Sequence, residues 1–178
     1  MQQCKLPFVR KNLDHGGDIS VGTRKTARPV TLKRPMFFTF KSSLAKDGRS
    51  FHRKENRRFI LEKIQREARQ SNVQLLEFSI NTNHLHMLLK AMTRGGLKRF
   101  LRVVAGSIAS FIMRSKKSSP TKEKFWDHLP HSIIINGLKH YENTINYIIR
   151  NVLESEGQIP YEERKRKPPN KPKRNARS

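Results

Sequence analysis

The spacing of apolar residues divides the middle of the chain into seven predicted elements. Strands are predicted where apolar and aromatic residues run together or alternate, and helices where apolar residues recur every three or four positions, as at Ile60, Ile64 and Ala68. The predicted strands cover residues 36–42, 73–80, 84–91 and 131–136, and the predicted helices cover 52–70, 97–111 and 141–153. The order β-α-β-β-α-β-α, with two helices on one side of an antiparallel sheet, predicts a ferredoxin-like α+β fold that ends in a further helix.

Regular spacing is missing at both ends of the chain. Residues 1–30 contain three glycines among many basic residues, and we interpret them as a basic N-terminal arm. Residues 31–157 hold all the predicted elements and form the predicted domain. Residues 158–178 are basic and broken by prolines, which predicts a tail that is disordered alone and able to bind phosphates.

The chain carries a large excess of positive charge. Its 38 lysines and arginines face 14 acidic residues, which gives a formal net charge of +24. Such a charge opposes compaction, and basic side chains release counterions from phosphates, so nucleic acid is the expected partner. The single cysteine, Cys4, excludes an internal disulfide and a cysteine-rich zinc site. No apolar run approaches the ~18 residues of a membrane span and the N-terminus lacks a signal-peptide core, so a cytoplasmic, nucleoid-associated location is expected.

Two histidines are the first candidates for chemistry. His84 and His86 lie at positions i and i+2 of a predicted strand, so both side chains project from the same face, about 7 Å apart along the strand. Two imidazoles placed in this way can share one metal ion, although a pair of surface histidines on a sheet gives the same pattern. Two ligands do not complete a metal site, so a third group must come from elsewhere in the chain.

The last predicted helix offers a tyrosine and an asparagine on one side. Tyr147 lies off the apolar arc of this helix, and Asn151 projects from the same side one turn later. The arc predicted to be buried comprises Tyr141, Ile145, Ile148, Ile149 and Val152. If the helix faces the histidines, the hydroxyl of Tyr147 can attack phosphorus and form a phosphotyrosine. Alternatively, Tyr147 is a half-exposed tyrosine with its hydroxyl in water.

These residues together resemble a known family. Asn83-His84-Leu85-His86 resembles the HUH signature (histidine, bulky apolar residue, histidine) of the single-tyrosine HUH transposases, which include the insertion-sequence single-strand transposases and the REP-associated tyrosine transposases. The resemblance runs from about residue 32 to 157 and includes Phe125-Trp126-Asp127 and the stretch 147–151. It implies a ferredoxin-like palm, Tyr147 as nucleophile, and His84, His86 and Asn151 as ligands of Mg²⁺ or Mn²⁺.

The resemblance also implies the reaction and the partner. A 5′-phosphotyrosine link and a free 3′ hydroxyl are expected, with recognition of a DNA hairpin beside the cleavage site. We expect single-stranded DNA along the sheet face, with its phosphates held by basic residues of a helix and of the tail. These residues are Arg94, Lys98, Arg99, Arg102, Arg164, Lys165, Arg166 and Lys167. A homodimer in which Tyr147 serves the histidines of a second subunit stays open.

Three other functions stay open as well. The first is a domesticated or non-catalytic DNA-binding relative of the REP type, which keeps the fold and the charge. The second is an RNA-binding ferredoxin-like module, although that class needs aromatic residues on the central strands where this chain has His84 and His86. The third is a metal-dependent nuclease that forms no covalent intermediate.

Overall fold

The structure, a computed structural model, describes residues 13–22, 26–114 and 123–162. In chain order the elements are β1 (Asp14–His15), β2 (Met36–Lys41), α1 (Lys54–Gln70), β3 (Val73–Ile80), β4 (His84–Ala91), α2 (Arg94–Ile112), β5 (His131–Ile134) and α3 (Leu138–Ser155), with 3-10 turns at Gly17–Ser20 and Asp47–Arg49. From β2 onward the order is the predicted one, so the α+β prediction is confirmed. Within the described ranges no helix is long and apolar enough to cross a membrane.

The strands form one antiparallel sheet in the order β1-β5-β2-β4-β3. The central strand β2 pairs with both β4 and β5, so that Thr39 lies opposite His86 on one side and opposite His131 on the other. Because residues paired directly across strands share a face of the sheet, these three side chains form a row on the same face. The row lies at the centre of the sheet and locates the candidate site.

The main core lies between the sheet and helices α1 and α2. Alternate residues of β2, namely Met36, Phe38 and Phe40, are at most 1% exposed and belong to this core. The buried β4 residues Leu85, Met87 and Leu89 belong to it as well, as their alternation with the histidines predicts. The other face of the sheet therefore carries the histidines, and the predicted assignment of the two faces of β4 is confirmed.

Helix α3 covers part of this second face. Ile148 is fully buried and forms a small core with Leu88 and Ile135. The predicted buried arc is wrong at one position, because Ile149 is 44% exposed while Asn151 is only 4% exposed. The residues that face the sheet follow the spacing 144, 148 and 151, and Ile149 is turned about 100° away from Ile148 around the helix axis.

The N-terminal segment adds an edge strand that the sequence did not predict. Asp14 and His15 pair with Ile133 and Ser132 of β5, a strand too short to show any periodicity. The backbone nitrogen of Gly17 then donates to the carbonyl oxygen of Leu129 over 2.8 Å. Gly16 has φ +80, and a Cβ at that position would lie 2.3 Å from the carbonyl oxygen of Pro130, so glycine is required for this close approach. The proposed division at residues 30 and 157 stays a prediction.

Candidate active site

Helix α3 places its tyrosine directly on the histidine face. The hydroxyl of Tyr147 lies 3.2 Å from Nε2 of His86, and the two rings are 5.1 Å apart. Phe37, which sequence reasoning missed, stacks on His86 at 5.3 Å and meets the ring of Tyr147 edge-on at 6.0 Å. The alternation of MFFTFK in β2 was the available signal, because it turns Phe37 away from the core and toward this face. The three rings hold one another in place.

Hydrogen bonds orient both imidazoles in the same sense. Nδ1 of His84 lies 2.9 Å from Oδ1 of Asn83, and because an amide oxygen only accepts, this nitrogen is the donor. In the neutral ring the lone pair then lies on Nε2. Nδ1 of His86 lies 3.0 Å from Oγ1 of Thr39, which accepts the Nδ1 proton when Nε2 accepts from the hydroxyl of Tyr147. Each neutral histidine can therefore present an Nε2 lone pair.

The two imidazoles lie close enough together to share one divalent metal ion. The rings of His84 and His86 are 4.8 Å apart, and bonds from the remote ring nitrogen are the usual support of a metal-bound histidine. Asn151 is buried, and its amide nitrogen donates to the carbonyl oxygen of Tyr147 over 2.6 Å. Among the described residues no group of three His, Cys, Asp or Glu side chains could hold a metal. A third protein ligand would therefore be a neutral oxygen, such as the amide oxygen of Asn151.

A cleft of about 280 Å³ opens beside Tyr147 and His86. Its other lining residues are Gly17, Asp18, Ile19, Thr39, Lys41, His128, Leu129 and His131. Nε2 of His128 lies 3.2 Å from Oδ1 of Asp18, which ties the loop before β5 to the N-terminal segment. Sequence reasoning missed the side of the cleft that residues 17–19 and 128–129 form. Both segments lack a regular apolar pattern, and only folding brings residues so distant in sequence together.

The pKa of His131, which also lines this cleft, is perturbed in the folded protein. Burial is the largest cause and lowers the pKa of His131 below its ordinary value of 6.5, while the charge of Asp14 opposes the shift. The neutral ring is therefore favoured in the folded protein. His131 of β5 lies directly opposite Thr39 of β2, at the far end of the row that begins with His86.

The chain matches the model of the IS200-like transposases over residues 43–151, which is more than half of its length. It belongs to this family. The matched range contains both histidines, Tyr147 and Asn151, but it leaves out β1, β2 and the segment between them. No curated protein matches the chain.

Two solved structures are similar to this IS200-like transposase. One is a REP-associated tyrosine transposase bound to a REP hairpin, with 15% identity over 77% of this chain and 76% of that chain, at a TM-score of 0.54. The other is a candidate transposase from Deinococcus radiodurans, with 16% identity over 72% of this chain and 97% of that chain, at a TM-score of 0.45. At these identities the first likeness shows a shared fold.

The basic residues of α2 that are predicted to bind DNA lie away from the histidines of this transposase. Arg94, Lys98, Arg99 and Arg102 are exposed on α2, in the helical layer on the opposite face of the sheet. The carboxylate of Glu67 lies 3.7 Å from Arg99 and offsets part of this charge. The predicted residues of the tail, Arg164, Lys165, Arg166 and Lys167, lie outside the described part of the chain.

Proposed function

We propose that the chain cuts and rejoins single-stranded DNA with Tyr147 as its nucleophile. The observation that carries this proposal is the 3.2 Å approach of the Tyr147 hydroxyl to Nε2 of His86, beside His84, in a member of a transposase family. A tyrosine used only for packing would not need its polar atom turned toward two candidate metal ligands. Because the tyrosine and the histidines of one chain meet, we propose that Tyr147 serves the histidines of its own subunit.

The reaction proceeds by exchange of one phosphodiester for another. The phenolic oxygen of Tyr147 forms a bond to phosphorus as the bond from phosphorus to the 3′ oxygen breaks. The phenolic proton passes to solvent, and the 3′ oxygen takes up a proton to become a free hydroxyl. Attack by a 3′ hydroxyl on the 5′-phosphotyrosine reverses the step and joins a strand. Since bonds of the same kind are made and broken, no outside energy source is needed.

The candidate ligands for Mg²⁺ or Mn²⁺ are His84, His86 and Asn151. When bound, such an ion polarises the phosphate oxygens and stabilises negative charge on the leaving oxygen. The lone pair of His86 Nε2 accepts from the tyrosine hydroxyl in this structure and would instead bind the ion if His86 served as a ligand. Thr39 and Phe37 fix the ring of His86, and the bond from Asn151 to its own helix fixes the amide one turn from Tyr147.

The proposed substrate is single-stranded DNA that carries a hairpin. The net charge of +24 suits a polyanion, and the similar solved transposase is bound to a REP hairpin. The exposed basic face of α2 lies on the other side of the sheet from Tyr147. We therefore assign this face to phosphates of the DNA at a distance from the scissile bond.

Two other functions make different predictions about the same site. An RNA-binding module of this fold exposes its sheet for base stacking, whereas here α3 packs over the sheet beside the histidines. A non-catalytic DNA-binding relative has no need for hydrogen bonds that orient both imidazoles. The arrangement around Tyr147 therefore favours a working site over either of these.

A covalent-adduct assay tests the proposal. The protein is mixed with Mn²⁺ and a labelled oligonucleotide that carries a hairpin, and the products are separated under denaturing conditions. We expect labelled protein with the natural chain and with Tyr141→Phe, a matched change on the same helix, but not with Tyr147→Phe. Adduct with Tyr147→Phe would refute the assignment of the nucleophile. Cleavage without any adduct would indicate a nuclease, and binding without cleavage a non-catalytic relative.

A further inference from the structure

The cleft beside Tyr147 has a far wall that the proposed reaction does not use. This wall consists of Gly17, Asp18 and Ile19 from the N-terminal segment, with His128 and Leu129 from the loop before β5. Its volume of about 280 Å³ is close to the lower end of the range of about 300–1,000 Å³ found for small-molecule sites. The space suits one flat group of the size of a nucleobase.

The chemistry of the far wall differs from that of the side of the cleft that carries Tyr147, His86 and Lys41. Ile19 and Leu129 are 53% and 67% exposed, and large apolar side chains at the lip of a cleft offer a surface for an aromatic ring. Asp18 adds a carboxylate, which repels phosphate but accepts hydrogen bonds from amino groups of bases. Lys41 instead lies at the end of β2, where it is paired with His84, and it suits a phosphate. The cleft therefore separates a place for phosphate from a place for a base.

The far wall is also held rigidly. Besides the pairing of β1 and the bond from Gly17 to Leu129, Arg28 donates to the carbonyl oxygen of Pro130 over 2.7 Å and to the hydroxyl of Ser132. A Cβ on Gly17 would lie 3.0 Å from Cβ of His131, so the segment packs closely against β5. His128 holds the carboxylate of Asp18 at 3.2 Å. A wall fixed in this way can select a ligand without first becoming ordered.

We propose that this cleft binds one unstacked nucleobase next to the scissile phosphate, stacked against Ile19 and Leu129 and read by Asp18. The inference rests on the proposed function, because it places the scissile phosphate at Tyr147. A carboxylate accepts a hydrogen bond from the amino group of cytosine, adenine or guanine, whereas the only donor of thymine, N3–H, lies between two carbonyl oxygens that repel the carboxylate. The site therefore selects an amino-bearing base over thymine at one position. Residues 17–19 lie outside the range matched by the family model, so this selection belongs to the N-terminal segment of this chain.

Binding to DNA with a single missing base tests the site without cleavage. In the Tyr147→Phe background, an abasic position is moved along each flank of a hairpin-bearing oligonucleotide, and affinity is measured by fluorescence anisotropy without metal. We expect a loss of about 5- to 100-fold at one position, as is typical for one stacked base. The combined change Ile19→Ala and Leu129→Ala should remove the sensitivity at that position. Leu138→Ala, a change of an equally exposed leucine on α3, should keep it.

A second comparison tests the reading by Asp18. At the sensitive position, thymine should bind more weakly than cytosine, and Asp18→Asn should reduce that difference because an amide can also donate to the O4 carbonyl. The control is Asp47→Asn, which changes an exposed aspartate outside the cleft. An abasic effect of equal size in the parent and in the Ile19→Ala, Leu129→Ala variant would overturn the inference.

The adduct assay on the natural chain separates the two proposals. Adduct formation together with position-independent abasic effects overturns the base site and leaves the function of Tyr147 standing. A base effect without any adduct overturns the function and, with it, the placement of the base next to a scissile bond. Adduct formation together with one sensitive position at the cleaved bond supports both.

Discussion

The hydrogen bond between Thr39 and His86 is the contact whose removal tests the proposed metal site most directly. Thr39→Val keeps the shape of the side chain and removes the oxygen that lies 3.0 Å from Nδ1 of His86. Valine is favoured in strands, and Thr39 is on the central strand β2, so the sheet should remain intact. The ring of His86 should also stay in place, because Phe37 still stacks on it. What changes is which ring nitrogen carries the proton.

The size of the effect follows from this geometry. Loss of a group that orients a metal-bound histidine costs about 10- to 100-fold in metal affinity or activity. We expect the lower end, about tenfold or about 1.4 kcal/mol, because a neutral hydroxyl orients a ring less strongly than a carboxylate does and Phe37 keeps the ring in position. The concentration of Mn²⁺ that gives half of the maximal rate of adduct formation should therefore rise by about tenfold.

The assay combines this titration with two measurements that do not depend on activity. Direct Mn²⁺ binding, followed by the electron paramagnetic resonance of the free ion, should weaken by a similar factor, and the unfolding free energy should change by less than about 1 kcal/mol. Ser79→Ala is the matched control, because Ser79 is the other cross-strand neighbour of His86 but bonds to Asn81. A Thr39→Val protein with unchanged Mn²⁺ dependence would refute the idea that this bond prepares Nε2 of His86 as a ligand.

Three further predictions concern packing, protonation and the N-terminal segment. Ile148→Ala should lower the unfolding free energy by about 2–5 kcal/mol in urea denaturation, whereas Ile149→Ala should lower it by less than about 1 kcal/mol. Equal losses would contradict the observed orientation of α3, in which Ile148 is buried and Ile149 is exposed. Because the pKa of His131 is lowered on folding, the stabilising contribution of its neutral ring is complete above pH 6.5 and is lost as the pH falls below that value. His131→Gln should therefore flatten the pH dependence of the unfolding free energy in this range. An unchanged slope would show that other histidines cause it. Arg28→Leu should speed amide exchange in residues 13–20 by leaving the carbonyl of Pro130 without its donor, while Arg34→Leu, which loses only an exposed bond, should not.

The regular elements could be predicted because their periodicity records which face is buried. The run from His84 to Ala91 alternates so clearly that both its strand bounds and its two faces were correct. Helix α3 was predicted, but its predicted buried side included Ile149 and is therefore rotated relative to the observed one. Hydrophobicity alone assigned that isoleucine to the core, whereas the buried residues of α3 that face the sheet are Thr144, Ile148 and the polar Asn151. The spacing of apolar residues does not predict a polar residue that is buried for a reason other than packing.

The approach of Tyr147 to His86 could be expected only through the resemblance to a family. Nothing in the periodicity of either element says that α3 lies over the histidine face rather than beside it. The placement depends on a second, small core in which Ile148 packs against Leu88 and Ile135, three residues from three separate parts of the chain. Such a core is too small to dominate the apolar pattern, yet it fixes the distance on which the proposed chemistry depends.

The far wall of the cleft lies beyond sequence reasoning for a physical reason. Asp18 and His128 reach each other because Arg28 and Pro130, 102 residues apart, are joined by a hydrogen bond, and because glycine permits the close approach at Gly16. Tyr147, by contrast, sits on a regular helix within the range that the family model matches. The proposed reacting groups lie on regular elements, and the groups proposed to select a base lie on an irregular segment. The two sets can therefore change independently. If the proposed site is correct, changes in residues 17–19 would alter which base is accepted, while α3 and β4 would keep the phosphate at the same tyrosine.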